Sequence, residues 1–244
     1  MKQQQKGFTL VEIAVVLVII GLLLGAILQG QQLIQSARVS NLSDQQAGIQ
    51  AAYFGFIDRY RAVPGDMPSD AAQDAIGEQI NGGGLGRGRL PSPDGDDDAG
   101  EYTDHWSALN GVWEQLAKAG FIRGSYTGVN SEPNSGDAPE NAFNALVLLS
   151  RHDGYEDANT DNPPPRLLFN FGENIPASIA RELDQKLDDG RPDSGSLRNA
   201  ENGTAFWQSD DSCTAAGQAG SNGNGDQIWD VDTDFQNCNP VFIY

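Results

Sequence analysis

One carboxylate lies beside a long apolar run near the start of the chain. Glu12 comes four residues after Phe8, and the sixteen residues from Ile13 to Leu28 contain no polar side chain. A charged side chain at the centre of a membrane helix costs about 2.5 to 3.5 kcal/mol. An ammonium group from a neighbouring chain would offset that cost by pairing with Glu12 in an apolar interior. The alternative is that Glu12 lies at shallow depth and reaches the lipid headgroups.

The apolar run and its flanks have the features of a segment that crosses a membrane. Lys2 and Lys6 precede it without an acid, and twenty-one residues lie between Phe8 and Leu28. At about 1.5 Å per residue they span a bilayer core of roughly 30 Å. The positive-inside tendency places the lysines in the cytoplasm and the acidic remainder on the far side. A cleaved secretory signal peptide is the alternative, but its apolar region is shorter, and no clear small-x-small site follows the run.

The N-terminal motif resembles that of a known family. The segment Lys6-Gly7-Phe8-Thr9-Leu10-Val11-Glu12, followed by the apolar run, is similar to the class III signal of type IV pilins and type II secretion pseudopilins. The resemblance implies cleavage after Gly7 by a prepilin peptidase, N-methylation of Phe8, and a role for Glu12 in guiding subunit docking. It also implies other pilin subunits and an inner-membrane assembly machinery as partners.

The helix is expected to continue beyond the membrane. Apolar side chains recur there at steps of three and four, namely Leu33, Ile34, Ala37, Leu42, Ile49, Tyr53, Phe56, Ile57 and Tyr60. This spacing predicts an amphipathic helix that runs on to about Arg61, because the next proline is Pro64. Gly21 falls where the resembled family has a helix-loosening glycine. Gln29 stands where many major pilins have a proline, so Gly25 and Gly30 are the candidates for flexibility.

The rest of the chain predicts a small α+β domain. Capping signals and apolar spacing predict helices at Asp104 to Ala119, Pro139 to Ser150 and Pro176 to Asp188. Strands are predicted at Leu167 to Phe171, Thr204 to Gln208, Gln227 to Val231 and Val241 to Tyr244. We therefore expect a long N-terminal helix packed on a small antiparallel sheet, with extra short helices and a C-terminal disulfide loop. The predicted segments are a leader at 1–7, a transmembrane and assembly helix at 8–30, its amphipathic continuation at 31–61, and a globular domain at 62–244.

The chain has two cysteines, Cys213 and Cys238. An even pair in a domain placed outside the cytoplasm predicts a disulfide. Closing a loop of this length would stabilise the fold by about 3 kcal/mol in the chain-entropy picture. Two thiols without a nearby histidine make a poor metal site. In the resembled family a C-terminal disulfide loop is a familiar surface feature.

Acidic side chains cluster at two places. The first group is Asp94, Asp96, Asp97, Asp98, Glu101 and Asp104, and the second is Asp226, Asp230, Asp232 and Asp234. Asp94, Asp96 and Asp98 match the opening of a calcium loop, although Ala99 and His105 replace its usual Gly and Glu. Some type II pseudopilins bind calcium through C-terminal acidic loops. Either group is thus a calcium site or a solvated acidic loop.

The overall composition argues against several function classes. With 34 acidic and 15 basic residues the formal charge is -19, so nucleic-acid binding is not expected. Of the two histidines, His105 and His152, neither lies in a metal-ligand spacing or beside a nucleophile motif. The segment from Gly82 to Gly86 lacks the Lys-Ser/Thr of a phosphate loop and predicts a flexible linker. The sequence thus does not predict an enzyme.

These patterns predict a structural subunit. The expected function is that of a major or minor pilin in a type IV pilus-like filament, with a type II secretion pseudopilin as the alternative within the family. A membrane-tethered periplasmic enzyme or binding domain is the alternative from another class. The expected location is the bacterial inner membrane, crossed once, before assembly, and a periplasmic or extracellular filament afterwards. No cofactor is required, and calcium is the one candidate ion.

Overall fold

The computed structural model describes residues 10–93, 105–160, 163–200, 213–219, 225–233 and 235–244. The helices in this part are α1 (Leu10–Tyr60), α2 (Ser69–Ile76), α3 (His105–Lys118) and α4 (Ala177–Leu187). The strands are β1 (Leu148–His152), β2 (Arg166–Asn170), β3 (Leu197–Asn199), β4 (Thr214–Ala219), β5 (Gly225–Trp229) and β6 (Pro240–Ile243). This is the α+β arrangement that the sequence predicts.

The first helix dominates the molecule. It has 51 residues and is unbroken, so it is about 77 Å long. Its buried side chains all lie in its second half, at the three- and four-residue steps that the sequence shows: Val39, Leu42, Gln46, Ile49, Ala52, Tyr53 and Phe56. The helix ends before Arg61, which adopts a positive φ of 55°. The predicted continuous helix from the membrane run to about Arg61 is thus confirmed for the described residues.

Four strands form an antiparallel sheet in the order β1, β2, β6, β3. In this sheet Leu148 lies opposite Asn170, and Phe169 lies opposite Phe242. The core between the sheet and the helices is built from fully buried large side chains, including Phe56, Trp113, Phe169, Phe171, Leu42, Leu109, Leu116 and Leu183. Helix α1 packs on the domain mainly through α4 and also contacts α3.

Strands β4 and β5 form a separate two-stranded antiparallel sheet near the C-terminus. Thr214 lies opposite Trp229 in the register of this hairpin. Cys213 directly precedes β4 and is bonded to Cys238, with 5.6 Å between their Cα atoms. The predicted disulfide is confirmed, and it ties the hairpin to the segment that leads into β6.

The helix predicted at 139–150 is wrong. This segment is a turn followed by β1, and Asn144 in the turn has a φ of 60°. Asn141 explains the difference, because its side-chain oxygen accepts the backbone N–H groups of Phe143 and Ala145 at 2.7 and 3.1 Å. The amide nitrogen of Asn141 donates to the carbonyl of Phe171 at 2.8 Å. Asparagine thus satisfies the backbone outside a helix, and the next residues pair with β2.

The remaining predicted elements differ only in detail. The helices predicted at Asp104 to Ala119 and Pro176 to Asp188 are confirmed as α3 and α4, with bounds that differ by a residue or so. The strands predicted at Leu167 to Phe171, Gln227 to Val231 and Val241 to Tyr244 correspond to β2, β5 and β6. The strand predicted at Thr204 to Gln208 lies outside the described residues. Helix α2 and strands β1, β3 and β4 were not predicted.

The glycine-rich segment near Gly82 is not a free linker. A Cβ added to Gly82 would meet the backbone of Gly111 at 2.7 Å, so only glycine allows this close approach. The buried carboxylate of Glu114 on α3 accepts the N–H groups of Asn81, Gly82 and Gly128 at 3.0, 2.7 and 3.0 Å. The segment is therefore held against α3 by hydrogen bonds, which corrects the prediction of flexibility.

Glu114 remains charged in this setting. Burial opposes its ionisation, but the ion pair with Lys118 at 2.6 Å and the backbone donors outweigh burial and lower the pKa of the carboxyl. A buried carboxylate with this many donors is a structural hydrogen-bond acceptor.

Candidate functional site

The first half of α1 presents an apolar surface that the rest of the described chain does not cover. Most exposed large apolar side chains of the described residues lie between Leu10 and Ile34, and Leu17, for example, is 64% exposed. By length and composition this helix is able to cross a membrane. A contiguous apolar surface of this size indicates contact with lipid or with other proteins.

The glycines of this half leave the same surface open. A Cβ built on Gly21, Gly25 or Gly30 meets nothing within 4 Å. The backbone nevertheless stays helical through all three positions. These glycines therefore do not interrupt α1 in this structure.

The globular domain begins to pack against α1 at Val39, the first buried residue of the helix. Lys186 on α4 donates to the hydroxyl of Ser40 at 3.2 Å. One position before Val39, the guanidinium of Arg38 stacks over the ring of Phe143, with 4.8 Å to the ring centroid. This level marks the boundary between the exposed and the packed halves of α1.

Tyr244, the residue that follows β6 in the sheet, contacts the buried second half of α1. Gln46 on α1 donates from its side-chain amide to the hydroxyl of Tyr244 at 3.0 Å. Burial raises the pKa of Tyr244 to about 12, although the Gln46 hydrogen bond acts in the other direction. The ring of Tyr244 also meets that of Phe54 edge-on, with 6.0 Å between centroids. The residue after β6 therefore locks the helix to the sheet by both polar and apolar contacts.

Of the residues predicted for processing and docking, Glu12 is the one that lies among the described residues. Gly7 and Phe8 lie outside the described residues, so cleavage and methylation there stay predictions. Glu12 lies in the first turn of α1. Its side chain is exposed, as are the apolar side chains that follow it on α1. An acid in the first turn of a helix also interacts favourably with the positive end of the helix dipole.

The disulfide lies deep in the domain. Cys213 and Cys238 are both fully buried. Cys238 exchanges backbone hydrogen bonds with Ile175, its N–H donating to the Ile175 carbonyl at 2.8 Å. The carbonyl of Cys213 accepts the N–H of Asp230 at 2.8 Å. This pair is thus part of the core and not an exposed loop closure.

Only some of the predicted calcium ligands lie among the described residues. Asp94, Asp96 and Asp98 lie outside the described residues, so that site stays a prediction. In the second acidic group, the side-chain oxygen of Asp230 accepts the N–H groups of Asp232 and Thr233 at 3.0 and 3.3 Å. These contacts are those of an Asx turn, which aspartate forms without an ion.

A third acidic group, not predicted from the sequence, lies where α4 ends. Asp184, Asp188 and Asp189 have carboxylate oxygens within 4.8 Å of one another. Asp184 is fully buried and accepts the indole N–H of Trp229 at 2.7 Å. The signal was present in the sequence, because Asp184 and Asp188 are four residues apart and so share one helix face. The apolar contacts that bury the first carboxylate could not be inferred from that spacing.

The two histidines have local structural roles. His152 is buried at the end of β1, its Nδ1 accepts the N–H of Gly154, and the carboxylate of Asp153 lies 3.8 Å away. The ring of His105 packs beside Trp106 at the start of α3. Neither arrangement brings a nucleophile to the imidazole in the contacts described.

Residues 2–28 match the family model of the prokaryotic N-terminal methylation motif. This motif is the prepilin-type signal of type IV pilins and pseudopilins. No match to the chain was found among curated proteins, and none among solved structures.

The motif supports a pilin-like or pseudopilin-like protein, and it suggests a structural subunit rather than an enzyme. It implies processing by a prepilin peptidase and assembly with other pilin subunits. Together with the apolar helix, it fits a precursor anchored in the inner membrane.

Proposed function

We propose that the protein is a structural subunit of a type IV pilus-like filament, cleaved after Gly7 and polymerised through α1. One observation carries the proposal: the methylation motif at residues 2–28 includes the start of a helix whose first half exposes its apolar side chains on all sides. A membrane tether needs such a surface only for lipid. A subunit that leaves the membrane needs sister helices to cover the same surface, since apolar area in water is costly.

The charge at the start of α1 gives assembly its register. Removal of residues 1–7 frees the amino group of Phe8, four residues before Glu12. A carboxylate within an apolar bundle is costly when alone and is stabilised by a nearby ammonium group. We infer that Glu12 of an incoming subunit pairs with the N-terminus of its neighbour. The alternative, in which Glu12 only reaches the headgroups, predicts no effect of this residue on polymerisation.

The domain leaves α1 free to pack. The domain covers the second half of the helix on one side, and Asn41, Asp44, Ala47, Ala51 and Asp58 remain exposed on the other. Polymerisation through the helix therefore does not require the domain to unfold. The described residues show no feature that favours a pilus over a secretion pseudopilus, and the same N-terminus would serve a type II secretion pseudopilin.

Mass spectrometry of the mature protein tests the first step. We expect an N-terminal peptide that begins at Phe8 and carries one added methyl group. The variant Gly7→Val should keep the leader, because a bulky side chain then precedes the cleaved bond. Gly25→Val is the matched control, since a Cβ at Gly25 meets nothing within 4 Å, and it should be cleaved normally. An intact leader on the wild-type protein, or a different mature N-terminus, would contradict the proposal.

Imaging of cells and shearing of their surfaces test whether the processed protein polymerises into filaments. Filaments that contain the protein and can be sheared from the cell surface would support the pilus. Loss of protein secretion on deletion, without surface filaments, would support the pseudopilus. A correctly cleaved protein that stays monomeric in the membrane under both assays would contradict filament assembly and leave only the processing established.

A further inference from the structure

A groove lies where the globular domain meets α1. It has a volume of about 380 Å³, and its lining residues come from α1 and α4: Ser36, Val39, Ser40, Glu182, Gln185 and Lys186. Glu182 is exposed at the groove and forms no ion pair within the described part of the chain. Lys186, by contrast, donates to the Ser40 hydroxyl. The groove therefore offers one carboxylate to a partner.

The α1 wall of this groove continues into the uncovered half of the helix. At about 100° per residue, Gly21, Gly25 and Ser36 lie within about 60° of one another around the helix axis. A Cβ built on Gly21 or Gly25 meets nothing within 4 Å. Two glycines one helical turn apart allow another helix to approach closely. The two glycines and the groove above them thus form one channel along α1, which we call the slot.

A row of isoleucines follows another face of the same helix. Ile13, Ile20, Ile27 and Ile34 recur every seven residues and are 46 to 57% exposed. Arg38 comes four residues after Ile34, lies within about 60° of the whole row, and is about 140° from the slot. This row, which we call the ridge, therefore ends in a cation at the level of the groove.

We propose that the ridge of one subunit packs into the slot of a second copy of the chain, and that Arg38 at the end of the ridge pairs with Glu182 in the groove. The proposal rests on the proposed filament function and names the surfaces through which two subunits meet. Bulky side chains of one helix then lie where the other helix has none, and opposite charges meet at the same end of the contact.

The proposed pairing at the N-terminus gives a matching register. If Glu12 pairs with the Phe8 amino group of its neighbour, the incoming helix is displaced by four residues. Ile27 of the incoming subunit then lies level with the midpoint between Gly21 and Gly25 of the neighbour. Arg38 lies about 3 Å along the axis from the level of Ser36, within reach of Glu182 for two long side chains.

The separation of ridge and slot predicts an open polymer. Each subunit uses its slot for one neighbour and its ridge for another, and such a heterologous contact continues from copy to copy. Pairing of two glycine faces would instead give a closed dimer and leave the isoleucines uncovered. Because exposed apolar area is costly outside the membrane, the contact between ridge and slot is favoured for a filament.

Filling the slot tests the apolar part of the contact. Gly25→Val places a branched side chain in the slot, so the yield of sheared filaments should fall about tenfold while the leader is still removed. Ala26→Val is the matched control, since this position lies about 100° further round the helix on neither face, and its yield should match the wild type. Wild-type yield of Gly25→Val, or equal losses in both variants, would overturn the slot.

Reversal of charge tests the pair at the groove. Arg38→Glu and Glu182→Arg should each lower filament yield by up to about fivefold, the factor that one exposed ion pair supplies, and the two together should restore it. Arg38→Glu with Asp74→Arg has the same net charge but places the cation on α2, so it should not restore the yield. Unchanged yields in both single variants, or equal restoration by the control, would overturn the pair.

Cross-linking tests the direction of the contact. The two cysteines of the chain are bonded to each other, so cysteines introduced at Arg38 and Glu182 are its only free thiols. A short bis-maleimide should join filaments of this double variant into a ladder of multimers, and neither single variant should give a ladder. Arg38→Cys with Arg181→Cys is the control, because Arg181 lines a different cleft beside Trp229, and it should not give the ladder.

The outcomes separate this contact from the proposed function. Wild-type filaments without a ladder in the Arg38 and Glu182 double variant would overturn the contact and leave filament assembly standing. Dimers without higher multimers would indicate a closed contact and also overturn it. A wild type that forms no filaments would contradict the proposed function, and this contact with it.

Discussion

Residues 10–38 and residues 39–60 form one continuous helix in two different environments. In the first part the apolar side chains are exposed in every direction, whereas in the second they form one stripe that the domain covers. The apolar side chains of the first part can be covered only by lipid or by other proteins, while those of the second part are covered within the chain. The folding of the domain and the contacts of the exposed surface therefore depend on separate stretches of the same helix.

The largest expected effect on stability comes from the buried stripe of α1. Phe56 is fully buried, and its ring lies 4.6 Å from that of Tyr60. Phe56→Ala should lower the free energy of unfolding by about 3 to 5 kcal/mol, because it leaves a cavity in the core. Phe54 is 47% exposed and makes edge-on contacts with the rings of Tyr53 and Tyr244, so Phe54→Ala should cost less, about 1 to 2 kcal/mol. Urea unfolding of the full-length protein in micelles measures both, and equal losses would contradict the assignment of faces.

The disulfide belongs to the same core cluster as the buried residues of α1 but lies on other elements of the domain. Replacing Cys213 and Cys238 together by serine should lower the free energy of unfolding by about 3 kcal/mol. Processing of the N-terminus should not change, because the exposed half of α1 does not depend on the domain. Urea unfolding gives the first quantity and the mass of the N-terminal peptide gives the second. Labelling of thiols in the native, unreduced protein would rule out the bridge.

Glu12 tests the exposed half alone. Glu12→Ala should improve membrane insertion by no more than about 2.5 kcal/mol, since the residue lies near the end of the membrane segment. It should leave domain unfolding unchanged and reduce the amount of filament. Glu12→Gln, which keeps the size and removes the charge, should reduce filaments to the same extent if pairing is electrostatic. Wild-type filament levels in both variants would count against the pairing, and the yield of sheared filaments measures it.

The smallest effect concerns one hydrogen bond across the boundary between helix and sheet. Tyr244→Phe removes the acceptor of the Gln46 amide and should cost about 1 kcal/mol of domain stability. Filament yield should not change, because the contact lies in the packed half. A loss of filaments without a loss of stability would show that the end of the sheet takes part in assembly, and so would break the division between the two halves. Urea unfolding and filament yield on the same preparation decide this.

Local signals explain what the sequence could predict. The apolar run and the spacing from Leu33 to Tyr60 predict α1, because a long helix repeats its pattern many times. The stripe of α3 and the Pro176 start of α4 are similarly local. The segment at 139–150 has helical spacing too, but the side chain of Asn141 and the pairing of β1 with β2 override it. Such pairing joins residues far apart in sequence and leaves no local signal.

The same distinction holds for the functional residues. Gly7, Phe8 and Glu12 could be proposed because they form one contiguous motif. Asp184 could not, because its surroundings are assembled from α4, the turn after it and β5. Its burial exists only in the folded chain.

The unbroken backbone of α1 also fixes a direction around the helix axis. Each residue advances by about 100°, so the 27 residue steps from Glu12 to Val39 place the two on roughly opposite faces. The carboxylate therefore points away from the side on which the domain sits. When the helix enters the membrane as a rigid rod, the orientation of the domain outside sets the azimuth of this charge inside. A neighbouring subunit approaching from the side without the domain would thus meet Glu12 first.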